Sequence, residues 1–582
     1  MVRFHLETHY LCLVLSGYII QFTLVLFNNY KKMSYLKTLE QFSIGKIKSI
    51  QDNVIIATGL ENVFVGEVVK FKSQESNLLG QVLNLEKSQV RIVMINGQQS
   101  HLKSNDLVYR TYKDVKTKAG YGVLGRVVSP LGECYNEEDF DELSYLFDDI
   151  SLIEDVSVEI PAPGIIEREP VRVPFLTGIN VVDCLIPVGC GQRELIIGDQ
   201  NTGKTSLAIS AVLNQRLVNN VIHKKWRALE SEIKIDRHSN FITCIYVTVG
   251  TRRSEGARLK KILDKMGALN YTSMVFSHAD QAAALQFMAP YAGCAIGEWF
   301  RNKGYRAIVV YDDLSQHAVA YRQMSLLLKR PPGREAYPGD VFYVHSRLLE
   351  RAAQLHRNKG AGSLTALPVI ETKGGDISAY IPTNVISITD GQIFLSSQLA
   401  NQGVRPAVNV GLSVSRVGSS AQYTSVNGIS KKIKADYSMF KTYESVEKLG
   451  GEIDPIVLSY IVRGKRINVY FQQSLYETLR LYQQVVCLFA LAEGFVDEIE
   501  LNCVSNFFGL LFNTQLAGKY LDSKYYPFVS YLNEMECFFV SYEIDFFRKD
   551  LRAWVSSYKE FFLKNIQPRI LADKKKLFSN IF

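Results

Sequence analysis

The strongest chemical signal in the sequence is the run Gly198-Asp199-Gln200-Asn201-Thr202-Gly203-Lys204-Thr205. It fits the phosphate-binding loop G-x-x-x-x-G-K-[S/T] at every fixed position. Such a loop turns backbone N–H groups toward phosphate oxygens at a helix N-terminus, where the peptide dipoles add positive potential. Lys204 is placed to reach the outer phosphates and Thr205 to ligate magnesium. A magnesium site beside phosphates also needs a carboxylate. Ala307-Ile308-Val309-Val310-Tyr311-Asp312-Asp313 supplies one, as a hydrophobic run ending in acid. The C-terminal edge of such strands is where ligands sit in open α/β sheets. Asp312 is therefore expected to hold magnesium through water together with Thr205, and Asp313 to cap the next helix.

Specific elements must position these residues. Glu194-Leu195-Ile196-Ile197 has the composition of a short buried strand, and Ser206 to Leu217 carries apolar residues at helical spacing. From Pro161 to about Val417, apolar strand runs such as Phe241 to Val249 alternate with helical stretches such as Arg258 to Met266 and Ala282 to Phe287. That alternation implies a parallel sheet covered on both faces. The charged stretch Lys224 to Asn240 interrupts it and is expected to be a surface excursion. Before this region, residues 43–112 hold short β-branched runs divided by Gly, Asn and polar turns, the pattern of a small closed β-barrel. After it, from about Tyr423, the pattern is helical and aromatic. Ser474 to Phe495 and Phe538 to Phe562 are the long amphipathic candidates. The acidic residues between 128 and 160, among them Glu133, Glu154 and Asp155, fit a solvated surface loop better than a metal site.

The 582 residues allow three or four domains, and 47% hydrophobic residues allow large cores. A formal net charge of +8 spread along the chain does not argue for nucleic acid. The 9 cysteines form no C-x-x-C pair and no metal spacing, as expected of reduced, buried thiols. Phe and Tyr number 31 each, a bias that suits an AT-rich genome such as an organelle's and equally a heavily aromatic core. Tyr10 to Phe27 is an uncharged, mostly apolar run ahead of Lys31-Lys32. Three readings fit it: an import or membrane segment, a buried or partner-binding helix, or a stretch upstream of a true start at Met33. Import peptides are rich in Arg and Ser and this run is not, which favours the last two.

Several stretches resemble the alpha subunit of F-type ATP synthase, in its mitochondrial and related bacterial form. They are Gly191 to Asp199, Tyr311 to Ser315, Ala320 to Leu328, Arg330 to Tyr343, Ile381 to Gln392 and Val414 to Ser419. Pro290 to Cys294 and Gly297-Glu298 carry the mitochondrial-type likeness. The resemblance is strong from about 161 to 422, fair from 43 to 127 and weak after 423. It implies a multidomain chain with an N-terminal β-barrel, a central P-loop (RecA-like) α/β nucleotide-binding domain and a C-terminal α-helical bundle. The expected bounds are 1–42 for an N-terminal extension, then 43–112, 113–422 and 423–582. It further implies an alpha subunit that binds Mg2+ with ATP or ADP without turning it over. Its implied partners are the beta subunit in an alternating ring of six, the central-stalk gamma subunit and peripheral-stalk subunits at the N-terminal end. The implied location is the matrix side of the mitochondrial inner membrane, with the membrane reached only through the complex. By the same resemblance Arg416 is the arginine finger reaching the neighbouring beta subunit's catalytic site, and Arg405, Pro406 and Gln473 are adenine-side contacts.

Relatives that hydrolyse ATP carry a water-orienting Glu after the strand that follows the phosphate-loop helix, and here that place is Thr251. A threonine hydroxyl is no base near neutral pH, so the chain's own site is expected to be non-catalytic. Glu255, four residues on, would substitute only if the loop shifted, since a base must lie within hydrogen-bond reach of the water. The chain also departs from the family pattern at Gln200, usually Arg, at Asn201, usually Gln, and at Leu475, usually a second Gln of the base pocket. Two other functions compete: an autonomous homohexameric ATPase motor of the secretion or Rho-like kind, which Thr251 opposes, and a single-strand-binding barrel. The barrel segment lacks the basic–aromatic interleaving the latter requires.

Overall fold

The computed structural model describes residues 44–135, 153–229, 241–448, 454–512 and 548–570, apart from positions 52, 61, 73–77, 97–101 and 569. The readings for residues 1–32, for most of the acidic run and for 538–547 lie outside these residues. The chain divides into two units, one built on residues up to Val115 together with Ala282–Leu285 and Gln323–Pro331, the other on the remainder.

The first unit contains six strands: β1 (Ile44–Gln51), β2 (Val54–Thr58), β3 (Glu67–Phe71), β4 (Leu79–Leu85), β5 (Val90–Met94) and β6 (Leu107–Asp114). They close into a barrel in the order β1-β2-β5-β4-β3-β6. In β1, Gly45 and Ile47 face inward while Lys46 and Lys48 face water, the period of two that puts one face of a strand in the core. Ile47, Ile55, Val69, Val82, Ile92 and Val108 fill the interior and are fully buried. One ion pair is sealed in with them: Arg110 donates to Glu67 at 2.8 and 3.1 Å, and the Tyr112 N–H donates to the same carboxylate at 3.0 Å.

In the second unit, β7 (Lys116–Gly120) pairs antiparallel with β9 (Ile153–Ser157), and β10 (Pro174–Phe175) with β11 (Val188–Gly189). The main sheet takes β8 (Val127–Val128), β12 (Glu194–Asp199), β13 (Ile242–Thr251), β14 (Thr272–His278), β15 (Arg306–Asp312), β16 (Ser363–Thr372), β17 (Gly391–Leu395) and β18 (Val414–Ser415). Their order is β18-β17-β12-β16-β15-β13-β14-β8, parallel throughout except for β18. Ile242 to Val249 are all buried, as a strand covered on both faces requires. The covering helices include α1 (Lys204–Leu229), α2 (Arg253–Lys265), α3 (Ala283–Asn302) and α4 (Leu314–Leu327). Gly293 in α3 lets that helix sit directly on β13, since a Cβ there would lie 2.2 Å from Val247.

The chain then forms α5 (Thr424–Lys448), α6 (Pro455–Phe471), α7 (Leu481–Ala492), α8 (Val504–Leu511) and α9 (Arg548–Phe561). Every residue of α7 but Gln483 is buried, so it is the core helix of this layer. Trp554 and Phe507 are fully buried as well, and a single apolar cluster runs from the main sheet into these helices. Among the described residues no helix is long and apolar enough to cross a membrane.

Helix α1 continues to Leu229, so residues 224–229 are helical, and 230–240 lie outside the described residues; Lys, Arg, Ala and Leu are good helix formers whatever their charge. Two expectations are corrected. Glu154 and Asp155 lie on strand β9, not in a loop, and Glu154 accepts a hydrogen bond from the Trp299 indole at 2.9 Å. The helix expected from Ser474 starts only at Leu481. Tyr476 has φ +64°, outside helical geometry, and its neighbours Ser474, Leu475 and Glu477 instead line the cavity described next.

Candidate nucleotide-binding site

At the C-terminal edge of the main sheet lies a cavity of about 440 Å³. Its floor is the turn from β12 into α1. Gly203 has φ +99°, which a side chain would strain, and a Cβ on Gly198 would lie 2.6 Å from the Leu395 carbonyl. The Leu207 N–H donates to the Gly203 carbonyl at 2.9 Å, so helical bonding begins within the loop. Gln200 to Thr205 all line the cavity. Gly198 and Asp199 close the strand beneath it. The Asp199 carboxylate turns sideways, accepting from the Thr372 hydroxyl and the Gly375 N–H, each at 2.7 Å. Those bonds hold it below its ordinary range although burial pushes it up.

Lys204 is buried and donates to the Asp199 carbonyl at 2.6 Å. Burial draws its ammonium below the ordinary value, against the opposing pull of Glu371, Asp313 and Asp312. The Thr205 hydroxyl donates to Asp312 at 3.1 Å, and the Tyr246 hydroxyl donates to the same carboxylate oxygen at 2.7 Å. Burial raises Asp312, while these two hydroxyls offset it. An all-oxygen donor set of hydroxyl and carboxylate beside a phosphate loop suits a hard cation such as Mg2+. Asp313 accepts from the Gln316 N–H at 2.7 Å and so caps the start of α4.

The opposite wall brings together Arg405, Pro406 and Gln473. Gln473 is fixed in place: its amide donates to the Gly178 carbonyl at 2.9 Å and to the Glu477 carbonyl at 2.5 Å, and accepts from the Asn180 N–H at 3.1 Å. Its own backbone N–H donates to the Arg405 carbonyl at 2.8 Å. Leu475 is exposed on the same wall.

Arg416 is not among the cavity's lining residues. It follows β18, whose Ser415 pairs with Gly391 at the start of β17, and Glu194 at the start of β12 pairs with that same Gly391. Arg416 thus stands at the N-terminal edge of the sheet and the phosphate loop at the C-terminal edge. The intervening 6 residues of β12 set these edges about 20 Å apart. The Arg416 side chain is exposed, and its N–H donates to the Asp390 carbonyl at 2.8 Å.

Sequence reasoning missed part of the lining. Glu371 is the penultimate residue of β16, much as Asp312 ends β15, so the signal of a hydrophobic strand closing in acid was available. Arg258 and Glu477 carried no local signal. Thr251 closes β13 but does not line the cavity, whereas Glu255, from the first turn of α2, does. Glu255 is held by Arg258 in a two-bond ion pair, one bond at 3.0 Å, and this partner keeps its carboxyl below the usual range.

These features define a class: a P-loop nucleotide-binding protein with a parallel-sheet central domain, a barrel before it and helices after it. Residues 178–415 match the nucleotide-binding domain of the ATP synthase alpha/beta family, and residues 422–523 match the C terminal domain of the ATP synthase alpha/beta chain. Over 462 residues, 79% of this chain and 86% of the relative, the sequence is 47% identical to ATP synthase subunit alpha of Neorickettsia sennetsu. Over 466 residues, 80% of this chain and 86% of the relative, it is 47% identical to ATP synthase subunit alpha of Ehrlichia ruminantium. The chain belongs to the ATP synthase alpha/beta family, and its similarity is to alpha subunits. The likeness extends through much of the helical region, further than the weak resemblance after residue 423, and it does not favour an autonomous motor.

Proposed function

We propose that this chain is the non-catalytic, nucleotide-binding alpha subunit of the F1 sector of a proton-translocating ATP synthase. It holds ATP or ADP in its own cavity and contributes Arg416 to the catalytic site of an adjacent beta subunit. The observation that carries this reading is the separation of the two machineries on one sheet. An exposed arginine on the edge opposite the phosphate loop cannot reach phosphates bound to its own chain, but it is free to reach those of a neighbour. An arginine in that role stabilises charge on the transferring phosphoryl group.

In its own site the chain binds without cutting. The loop N–H groups and Lys204 take the phosphates, and Arg405, Pro406 and Gln473 bound the base side. Thr205 and Asp312 would hold Mg2+, which would supply neutralisation of the phosphate charge when bound. At the place where relatives that hydrolyse ATP carry their water-orienting Glu, this chain has the Thr251 hydroxyl, and nearby Glu255 is tied to Arg258 and kept a weak base. We further infer an alternating ring with beta subunits around a gamma stalk, peripheral-stalk contacts at the N-terminal end, and no nucleic-acid partner. The site is the matrix side of the mitochondrial inner membrane, a reading supported by the aromatic-rich composition and the mitochondrial-type motifs, although both matched relatives are bacterial. Arg416→Lys should lower turnover of the assembled complex by ~10³-fold or more while leaving nucleotide on this chain. Undiminished turnover would remove the arginine from this role.

A further inference from the structure

Beneath the base wall of the cavity lies a buried carboxylate that touches neither phosphate loop nor cavity. Asp183 is 7% exposed and sits beside the turn Thr177-Gly178-Ile179-Asn180. It accepts four hydrogen bonds. The Thr177 N–H and Gly178 N–H donate at 2.9 Å each, the Thr177 hydroxyl at 2.6 Å, and the Gln484 amide at 2.9 Å. An ionised carboxylate has acceptor sites for all four, and no neutral side chain of its size does. Gln484 belongs to α7, so the fourth bond comes from the helical layer.

That turn is the one on which Gln473 is mounted. The Gly178 carbonyl accepts from the Gln473 amide, and the Asn180 N–H donates back to it. Ile179, between them, lines the cavity. With both amide hydrogens engaged on carbonyls, Gln473 can offer a bound base only acceptor capacity, so its orientation is set by the turn and not by the ligand.

We propose that Asp183 is a positioning residue for nucleotide binding, which, clamped by Gln484, holds the 177–180 turn and through it the base-side wall at Gln473. The inference rests on the nucleotide-binding reading above. It makes the base side of the cavity depend on a contact from α7, while on the phosphate side α1 meets this region through Asn214 and Gln215, which donate to the Leu176 carbonyl about three turns beyond the loop. A group that merely stabilises the fold would affect both sides alike.

The test compares two probes on the full chain in the presence of Mg2+: ATP, and inorganic tripolyphosphate, which has the phosphates but no base. In Asp183→Asn one oxygen acceptor becomes an N–H donor facing N–H donors. ATP affinity should fall roughly tenfold, the scale of one lost charge-assisted hydrogen bond, with tripolyphosphate affinity kept within about twofold. Gln484→Met removes only the clamp and should move the same ratio in the same direction, by about threefold. It decides the matter alone if Asp183→Asn does not fold. An unchanged ratio of the two affinities in Gln484→Met, or an equal loss of both probes in Asp183→Asn, overturns the proposal. If the unaltered chain binds neither probe, the nucleotide-binding reading itself fails, which is a separate result.

Discussion

Acid should weaken this protein through a pair of buried imidazoles, and the size of the effect can be worked out. His345 and His317 are both fully buried, with ring centroids 5.4 Å apart. The His317 ring stacks on Phe287 at 5.1 Å, and its Nε2 lies 3.0 Å from the Phe287 carbonyl. Among the described residues neither ring nitrogen of His345 has a hydrogen-bond partner. Burial therefore pushes His345 down from its ordinary 6.5 to about 4, and pushes His317 down as well. A histidine depressed on folding supports the folded state above its unfolded value and withdraws that support as pH falls, because only the unfolded chain then takes up the proton. With 6.5 unfolded and about 4 folded, His345 alone should remove about 2 kcal/mol of stability between pH 7.5 and pH 5. Replacement by leucine, similar in volume and without a proton to gain, abolishes this contribution and breaks no hydrogen bond. The measurement is amide hydrogen exchange of strand β15 in the unaltered chain and in His345→Leu at both pH values, which reports local opening free energy in a multidomain protein. The advantage of the variant should grow by about 2 kcal/mol on acidification. Parallel behaviour at the two pH values would refute the reasoning.

Two further outcomes follow from the geometry. Arg110→Met leaves the fully buried Glu67 carboxylate without its partner and should destabilise the barrel by ~3–5 kcal/mol. Adding Glu67→Leu should restore much of that loss, and urea unfolding followed on barrel amides checks both; a single variant as stable as the parent would contradict the account. Gln200→Arg adds a cation on the exposed lip of the phosphate loop and should tighten ATP binding by ~1.5–3 kcal/mol, readable by calorimetry. No gain would mean that position 200 does not face the phosphates.

The parts of the fold that were legible in the sequence are those set by neighbours in the chain. The loop from Gly198 to Thr205 and the acid ending β15 could be read because strand, turn and helix follow one another within a few residues. The barrel showed in its alternating runs, though its closure order depends on pairings far apart in sequence. The base wall was not legible in the same way. Residues 474–477 continue a pattern that suits a helix, yet the bonds from Gln473 to Gly178 and Asn180, almost three hundred positions away, pull the segment open into the cavity. Glu255 offered the sequence no hint of its partner, because an i, i+3 pair on a helix is ordinary until the helix is known to start at the cavity. Arg416 came from family likeness alone; the sheet order adds only that it stands on the edge opposite its own phosphate loop.

The central claim is that this chain grips a nucleotide it does not hydrolyse. The most direct measurement is to load the purified chain, free of beta subunits, with ATP and Mg2+, remove unbound nucleotide, and identify what remains bound over several hours. The account expects the bound nucleotide to persist as ATP. Steady conversion to ADP with release of phosphate would contradict it.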